Sequence, residues 1–560
     1  MNITVTPRKA QYRPGENVCF TVAGVPGKYG IRVYHLEKCI LDMPMELECS
    51  GQCISIGSDF YMECGFSVFL LNCGDDVSVL ASTAFDVAES WKTAPRYGFL
   101  SGFSPDEKGD LDDTESLARY HLNVIQYYDW MYRHETLLPP AAEYIDPLGR
   151  ELSLDVIAEK LASCRDRGMA CLAYGAVYGA SREFAEAYPE WRLYNREGNP
   201  STLGGWLSIM DISPGSEWRR RLIGEFTKSL NVLSFEGIHL DTYGTPKRAY
   251  SRKLPDPGGN EDRMNLKLHR LEDEFPGLAD DVKVSLSAVR NSPGVIFNCV
   301  NNWPIKEMAE SSVDALYIEV WPPHTEFEHL YRLIREARLL SEKPVILAAY
   351  LSPFPAERAS AADADGAAEN ALALAFAVIN TSGAYHLVFG ENGGVLRDPY
   401  YVNHGFLSAE GYERFRRYAD FVVAYRNLLY GPSVSDITLE FSGSDGDDFV
   451  FTGPAVSSLP RAGFVWTHIA ETAEHVVISL VNLTGQKSSA WNEPREEPEP
   501  VHSLTVRALV PEGITSVYAD SPDKPGAPRA IDWKVVKSDK GPVAEFTVED
   551  IRVWTLLWIK

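Results

Sequence analysis

The sequence predicts a three-domain chain: a central (β/α)8 TIM barrel flanked by an N-terminal immunoglobulin-like β-sandwich and a C-terminal antiparallel β-sandwich. Three observations predict it. At 560 residues the chain exceeds what one core fills at roughly 100 to 200 residues per domain. Its texture changes twice, from period-2 alternation to strands interleaved with amphipathic helices near residue 91, and back again near 432. The middle stretch holds eight apolar runs of strand length, the number that closes a parallel barrel. The domain bounds that follow are 1–90, 91–432 and 433–560.

In the first domain VCFTVAG, GIRVYHL, FSVFLLN and SVLASTAFDV alternate between Pro and Gly punctuation with no helical stripe, which argues a small antiparallel sandwich. Six of the nine cysteines fall here (Cys19, Cys39, Cys49, Cys53, Cys64, Cys73). The odd total reads as buried reduced thiols rather than disulfides, and Cys49 and Cys53 lack the second close pair of a zinc finger. WKTAP, Trp91 to Pro95, reads as a linker.

The barrel strands are expected at 96–103, 122–130, 169–179, 236–244, 294–302, 315–322, 344–351 and 384–392. Between them LDVIAEKLASCRDRG carries Ile157, Leu161 and Cys164 on one face, and EHLYRLIREARLL carries Leu330, Leu333 and Ile334. The barrel closes with GYERFRRYADFVVAYRNLLY. Alternation then returns in DITLEFSG, DDFVFTG, HVVISLVNLTG, SLTVRALV and AEFTVEDIRVWTLLWI, with QKSSAWNEPREEPEPVH as a long polar loop.

Bulk charge narrows the partners. With 53 Lys and Arg against 78 Asp and Glu the net charge is -25, which repels nucleic acid and anionic membrane but costs a neutral polymer nothing. No run approaches the ~18 apolar residues of a membrane span. Met1 leads into strand with no apolar leader, so the chain as written is expected in the cytoplasm, with a secreted protein whose leader was removed as the alternative. No Gly-rich dinucleotide turn, phosphate-binding Arg/Lys cluster or metal cage is legible, so neither cofactor nor metal is expected. Nothing in the sequence speaks to oligomeric state.

In such barrels functional groups sit where strands run out at the carboxyl face. FEGIHLDTYG runs apolar and then places Asp241; ALYIEVWPP does the same with Glu319. A lone carboxylate closing an apolar strand has few structural excuses, and two of them match glycosidic bond cleavage, which needs an acid and a partner flanking the scissile oxygen. The other strand ends supply Tyr128, Asp129, Trp130, His134, Tyr174, Tyr178, Asn301, Asn302, Trp321, Glu391 and Asn392. Flat aromatics, amides and carboxylates are the mixture sugars want. His239, which shares barrel-facing parity with Asp241, joins this sugar-binding set; it and His134 read as wall histidines and not as acids.

PRYGFLSGFSP, YHLNVIQYYDWMYRHE, GIHLDTYG and LYIEVWP, in that order and on those strands, resemble glycoside hydrolase family 66, the dextranases and cycloisomaltooligosaccharide glucanotransferases. The resemblance spans the barrel and matches the family's domain order. It implies a retaining reaction on α-1,6-linked glucan, dextran or isomaltooligosaccharide, with Asp241 as nucleophile and Glu319 as acid/base. The family's cyclising members carry an extra module inserted after strand seven; here that segment is only Ser352 to Ala371, so an endo-acting hydrolase is expected ahead of a cyclising transferase or a non-catalytic glucan-binding protein.

Overall fold

The computed structural model describes residues 3–73, 78–252, 266–355, 366–398, 404–443, 446–510, 513–524 and 526–560. At its centre eight strands run parallel: β1 (Tyr97–Leu100), β2 (Val124–Tyr127), β3 (Ala170–Ala176), β4 (Gly237–Asp241), β5 (Gly294–Val300), β6 (Ala315–Glu319), β7 (Val345–Ala348) and β8 (Ala384–Leu387). All eight fall inside the expected segments. They pair in sequence order, and the Phe99 N–H donates to the Phe389 carbonyl at 3.3 Å across the remaining gap, where β1 meets the chain leaving β8. Apolar side chains bury both faces of these strands, as a sheet walled by helices requires.

The helices that wall the barrel, one after each strand, are α1 (Asp112–Arg119), α2 (Leu154–Asp166), α3 (Glu217–Val232), α4 (Leu271–Ser287), α5 (Ile305–Glu310), α6 (Phe327–Leu340), α7 (Gly366–Thr381) and α8 (Ala409–Ala424). α2 and α6 bury the stripes their spacing predicts. α7 is buried almost all round, because the barrel covers one side and the C-terminal domain the other.

The N-terminal domain is a sandwich of seven strands, not only the four legible by alternation. Thr4–Pro7, Val18–Ala23 and Gln52–Gly57 face Lys38–Leu47, Gly27–His35, Gly65–Asn72 and Val79–Asp86, the immunoglobulin-type division. The other three are all edge strands, two of which carry Pro7 and Pro44 where no ladder bond is needed; of these only Thr4–Pro7 is expected from the sequence, as the strand into which Met1 leads. The buried-thiol expectation is corrected: the nine cysteines are free, but only Cys64 of the six is buried, Cys19 is half-buried, and Cys39, Cys49, Cys53 and Cys73 are exposed. Cys39 and Cys53 stand on edge strands and Cys49 and Cys73 in turns, none of which the core reaches.

The expected linker is instead a fastened 3-10 turn, Trp91–Thr93, whose Lys92 Nζ donates to the Ser292 and Pro293 carbonyls at 3.0 and 3.2 Å. Beside it the buried Asp86 carboxylate accepts from Arg96 (2.8 and 3.0 Å), Arg426 (2.8 Å) and Gln11 (3.1 Å), tying sandwich to barrel.

The C-terminal domain packs two antiparallel sheets, one around Val465–Glu471, Val476–Asn482 and Trp554–Ile559, the other around Leu504–Leu509 and Gly541–Val548. Two expectations change. DITLEFSG is not one strand: only Asp436 and Ser442–Gly443 pair, and between them Asp436 caps the Thr438 N–H at 3.0 Å and Thr438–Phe441 turns as helix. AEFTVEDIRVWTLLWI is two strands in different sheets, broken at Asp550, whose φ is 55°. The long polar loop is anchored on the barrel: buried Trp491 donates from Nε1 to the His324 carbonyl (2.9 Å) and from its N–H to Thr325 (3.0 Å), and the Phe327 N–H donates to Ser489 (2.9 Å). These contacts hold the segment that joins β6 to α6.

Candidate active site

β4 and β6 each deliver a carboxylate to the same mouth. Asp241 pairs in register with Ala176 of β3, and Glu319 with Val300 of β5 and Ala348 of β7, so both stand at the top layer. Between them β5 supplies a residue the sequence reading missed, Asn298. Its Nδ2 donates to Asp241 Oδ1 at 2.8 Å and to Glu319 Oε2 at 3.1 Å. One nitrogen touching both carboxylates holds those two oxygens under about 6 Å apart. Each acid has a further donor of its own: the Tyr174 hydroxyl to Asp241 Oδ2 at 2.8 Å, and the Tyr350 hydroxyl to Glu319 Oε1 at 3.1 Å.

Burial pushes both carboxyls above the ordinary carboxylate range, and at Asp241 the charge of Glu319 adds to the rise. Asn298 pulls both back, with Tyr174 helping at Asp241 and Trp321 and Tyr350 at Glu319. Groups this close titrate as a pair, and a pair raised together keeps one proton to higher pH than either acid would alone.

The pair opens into a cavity of about 360 Å³ walled by the loops after β2, β3, β4 and β6. Of the expected residues, Tyr128, Asp129, His134, Tyr174 and Trp321 line it. Asp129 has φ 45°, and burial, against Arg150 and with Asp146 and Asp241 adding, pushes its carboxyl up to about 7. Burial pushes His134 down to about 4, so the ring is neutral at pH 7, and its Nδ1 is buried with no protein partner. Asn298 Oδ1 is unpartnered as well. A buried polar atom beside the cavity, as at His134, is what a hydroxylated ligand would satisfy.

The other expected contacts lie elsewhere. Trp130 is fully buried behind the wall, its Nε1 donating to the Tyr174 carbonyl at 3.2 Å and its ring against Phe235. Tyr178 is also buried, a clasp on the loop after β4: its hydroxyl donates to the Thr245 carbonyl (3.0 Å) and accepts the Tyr243 N–H (2.9 Å). His239 faces inward one layer below Asp241, its Nδ1 2.9 Å from the Tyr97 hydroxyl, and burial alone takes its pKa down to about 3. Asn301 is a brace: Oδ1 accepts the Trp321 N–H at 2.7 Å and Nδ2 donates to Pro322 at 3.2 Å. Asn302 turns away to Glu336. Glu391 accepts from the Ser101 hydroxyl at 2.7 Å and Asn392 carries φ 54° under Tyr412; neither lines the cavity.

Besides Asn298, strand-end reasoning missed Tyr350, Arg150 and Trp206. Asn298 left one signal, an amide within the apolar run GVIFNCV. Trp206 sits at the tip of a hairpin between Thr202–Leu203 and Leu207–Ile209, part of a small sheet inserted after β3. Its one trace in the sequence is a large aromatic directly after two glycines.

A profile of glycosyl hydrolase family 66 matches residues 7–558. A cycloisomaltooligosaccharide glucanotransferase of Niallia circulans is 22% identical over 712 aligned positions, covering 99% of this chain and 72% of that protein. A dextranase of Streptococcus salivarius is 20% identical, covering 86% of this chain and 66% of its own length. Among solved structures, that of a Paenibacillus sp. cycloisomaltooligosaccharide glucanotransferase complexed with cycloisomaltoheptaose superposes with a TM-score of 0.85 at 20% identity, over 99% of this chain and 100% of the other.

Proposed function

The chain belongs to glycosyl hydrolase family 66, and from that premise we propose that it is a retaining, endo-acting hydrolase of α-1,6-glucosidic linkages in dextran or isomaltooligosaccharides. The observation that carries the reading is the Asn298 bridge between Asp241 and Glu319. A separation under about 6 Å suits the ~5 to 5.5 Å of double displacement and leaves no room for the water an inverting pair holds across ~6.5 to 9.5 Å.

Asp241 attacks the anomeric carbon while Glu319 gives its proton to the departing glycosidic oxygen, leaving a glucosyl ester on Asp241 and a free hydroxyl on the leaving chain. Glu319 then takes a proton from water as that water attacks the same carbon, which frees Asp241 and returns the anomeric configuration. The proton of the resting pair belongs on Glu319, because Asp241 accepts two bonds of 2.8 Å and Glu319 two of 3.1 Å, and the better-solvated oxygens keep the charge. Tyr128, Asp129, His134 and Trp321 line the space beside the reacting carbon and would meet the sugar.

The linkage rests on relatives named for dextran and for cycloisomaltooligosaccharides. Hydrolysis ahead of cyclisation rests on what is missing. The 712-position alignment exceeds the 560 residues of this chain, so the glucanotransferase carries stretches that face gaps here. β7 ends at Ala348 and α7 begins at Gly366, too short a span for a module, although its residues 356–365 lie outside the described residues. A second reading, intramolecular transfer to cyclic products, is favoured by the likeness to the two glucanotransferases. Incubation with dextran, starch and cellulose separates them: linear isomaltooligosaccharides from dextran alone are expected, cyclic products at early times would establish transfer, and no product from dextran would end both readings. Asp241→Asn should lose several orders of magnitude in turnover while still binding; binding beside a wild-type rate of zero would indicate a non-catalytic glucan-binding protein.

A further inference from the structure

Trp206 and Trp321 are 48% and 36% exposed, the two most exposed of the twelve tryptophans, and both line the cavity that holds the carboxylates. They are carried past the strands at the two ends of the run β3–β6 that holds the pair. Trp321 lies two residues past Glu319, just beyond the end of β6, whereas Trp206 comes from the insertion after β3, the strand next to the one that carries Asp241. Trp206 is held out by a turn of two left-handed glycines, Gly204 (φ 57°) and Gly205 (φ 77°), a conformation that L side chains resist. Leu148, 54% exposed, and Leu203 continue the same wall. A large apolar face kept in water beside a polar cleft is an unused binding surface. A pyranose offers the complement, a C–H face for the ring and hydroxyls for the polar groups below.

The chemistry gives the two walls different occupants. In the mechanism proposed above, on which this inference rests, the sugar being attacked lies over Asp241 and the sugar being released lies on the Glu319 side. We propose that the glucan crosses the mouth in one direction. The glucosyl unit on the non-reducing side of the attacked sugar stacks on Trp206, and the first leaving or accepting unit stacks on Trp321. Trp206 would then set how much the enzyme gains from a longer donor, and Trp321 how well a sugar competes with water for the glycosyl-enzyme.

The test compares an aryl α-isomaltoside with the aryl α-glucoside bearing the same leaving group, so that only the extra non-reducing unit differs. Trp206→Ala should cut the ratio of the two kcat/KM values about tenfold, while Trp206→Phe keeps it within about threefold. Trp321→Ala should leave that ratio alone but lower transfer to added isomaltotriose relative to hydrolysis. An unchanged ratio in Trp206→Ala, an equal fall in Trp321→Ala, or transfer indifferent to Trp321 overturns the inference. If the wild-type protein cleaves neither aryl glycoside nor dextran, the hydrolase reading fails. Calorimetric titration with isomaltotriose still decides Trp206, whose alanine variant should then bind about tenfold more weakly; equal affinity refutes it.

Discussion

Removing the amide of Asn298 should translate the pH profile rather than simply depress activity. In the singly protonated pair Asn298→Ala deletes one hydrogen bond to the charged Asp241 (2.8 Å) and one to Glu319 (3.1 Å). A bond to an ionised group contributes ~1.5 to 3 kcal/mol and one to a neutral acid ~0.5 to 1.5. At 1.36 kcal/mol per pH unit, the ionised state of Asp241 loses roughly one to two units' worth of support. The protonated carboxyl loses its own ~0.5 to 1.5 kcal/mol, so the net rise is about one unit, and because the group must be ionised to attack, the acid limb of kcat/KM moves up by about one unit. Glu319 must be protonated to act; its ionised form also loses more than its protonated form, and since that bond is the longer, 3.1 Å, its smaller rise carries the basic limb up by about half a unit. The bell narrows as it moves, and its peak should fall about 10- to 100-fold. The assay is kcat/KM for isomaltotriose across the pH range, with thermal melting to establish that the variant is folded. A profile that shrinks without moving, or moves toward acid, refutes the assignment of Asn298 as the residue poising the pair.

The other donors should leave separable signatures. Tyr174→Phe takes its 2.8 Å bond from Asp241 alone and should raise only the acid limb, while Tyr350→Phe takes its 3.1 Å bond from Glu319 alone and should raise only the basic limb; the reverse pattern in pH-rate profiles would exchange the two roles. Away from the mouth, burial would raise Asp86, yet Arg96 and Arg426 outweigh it and hold its pKa below the ordinary value. A carboxylate depressed in the native state stabilises above its unfolded pKa near ~4 and loses that contribution as pH falls through the lower native value. Urea midpoints should therefore drop in acid, and Arg426→Ala should cost about 3 kcal/mol at pH 7 and flatten that dependence; a midpoint unmoved at pH 7 counts against the cluster. For the thiols, a disulfide reagent should label Cys39, Cys49, Cys53 and Cys73 in the native protein but Cys64, Cys164, Cys171 and Cys299 only after unfolding; fast reaction of the last four would contradict their burial.

The barrel was legible because its strands are buried on both faces and so read as uninterrupted apolar runs, and because each of the two carboxylates ends such a run. Alternation missed two edge strands of the N-terminal sandwich, Lys38–Leu47 and Gln52–Gly57; in the first an exposed outer face and Pro44 erase the period. Strand-end reasoning places a residue on the right loop but not on the right side of it. Trp130 and Tyr178 lie within three residues of the ends of β2 and β3, as Tyr128 and Tyr174 do, yet point into the layer between strands and helices. Asn301 illustrates the same limit from the other direction: the amide that meets both acids is Asn298, three residues earlier and still inside β5, where a reading of strand ends does not look. Trp206 lies in an insertion whose small sheet has no barrel period at all, so only the double glycine before it hinted at a tip.

The anchor formed by Trp491 has an outcome for anyone wishing to shorten this protein. The stretch it grips begins three residues beyond Trp321, so the pose of that wall of the cavity is supported from a domain that contributes no described residue to its lining. Excising the barrel at residue 432 would retain every group that does the chemistry and still free the ground on which one of them stands. The barrel alone therefore lacks one of its own supports, and a graft of this mouth onto another scaffold must bring its distant tether along.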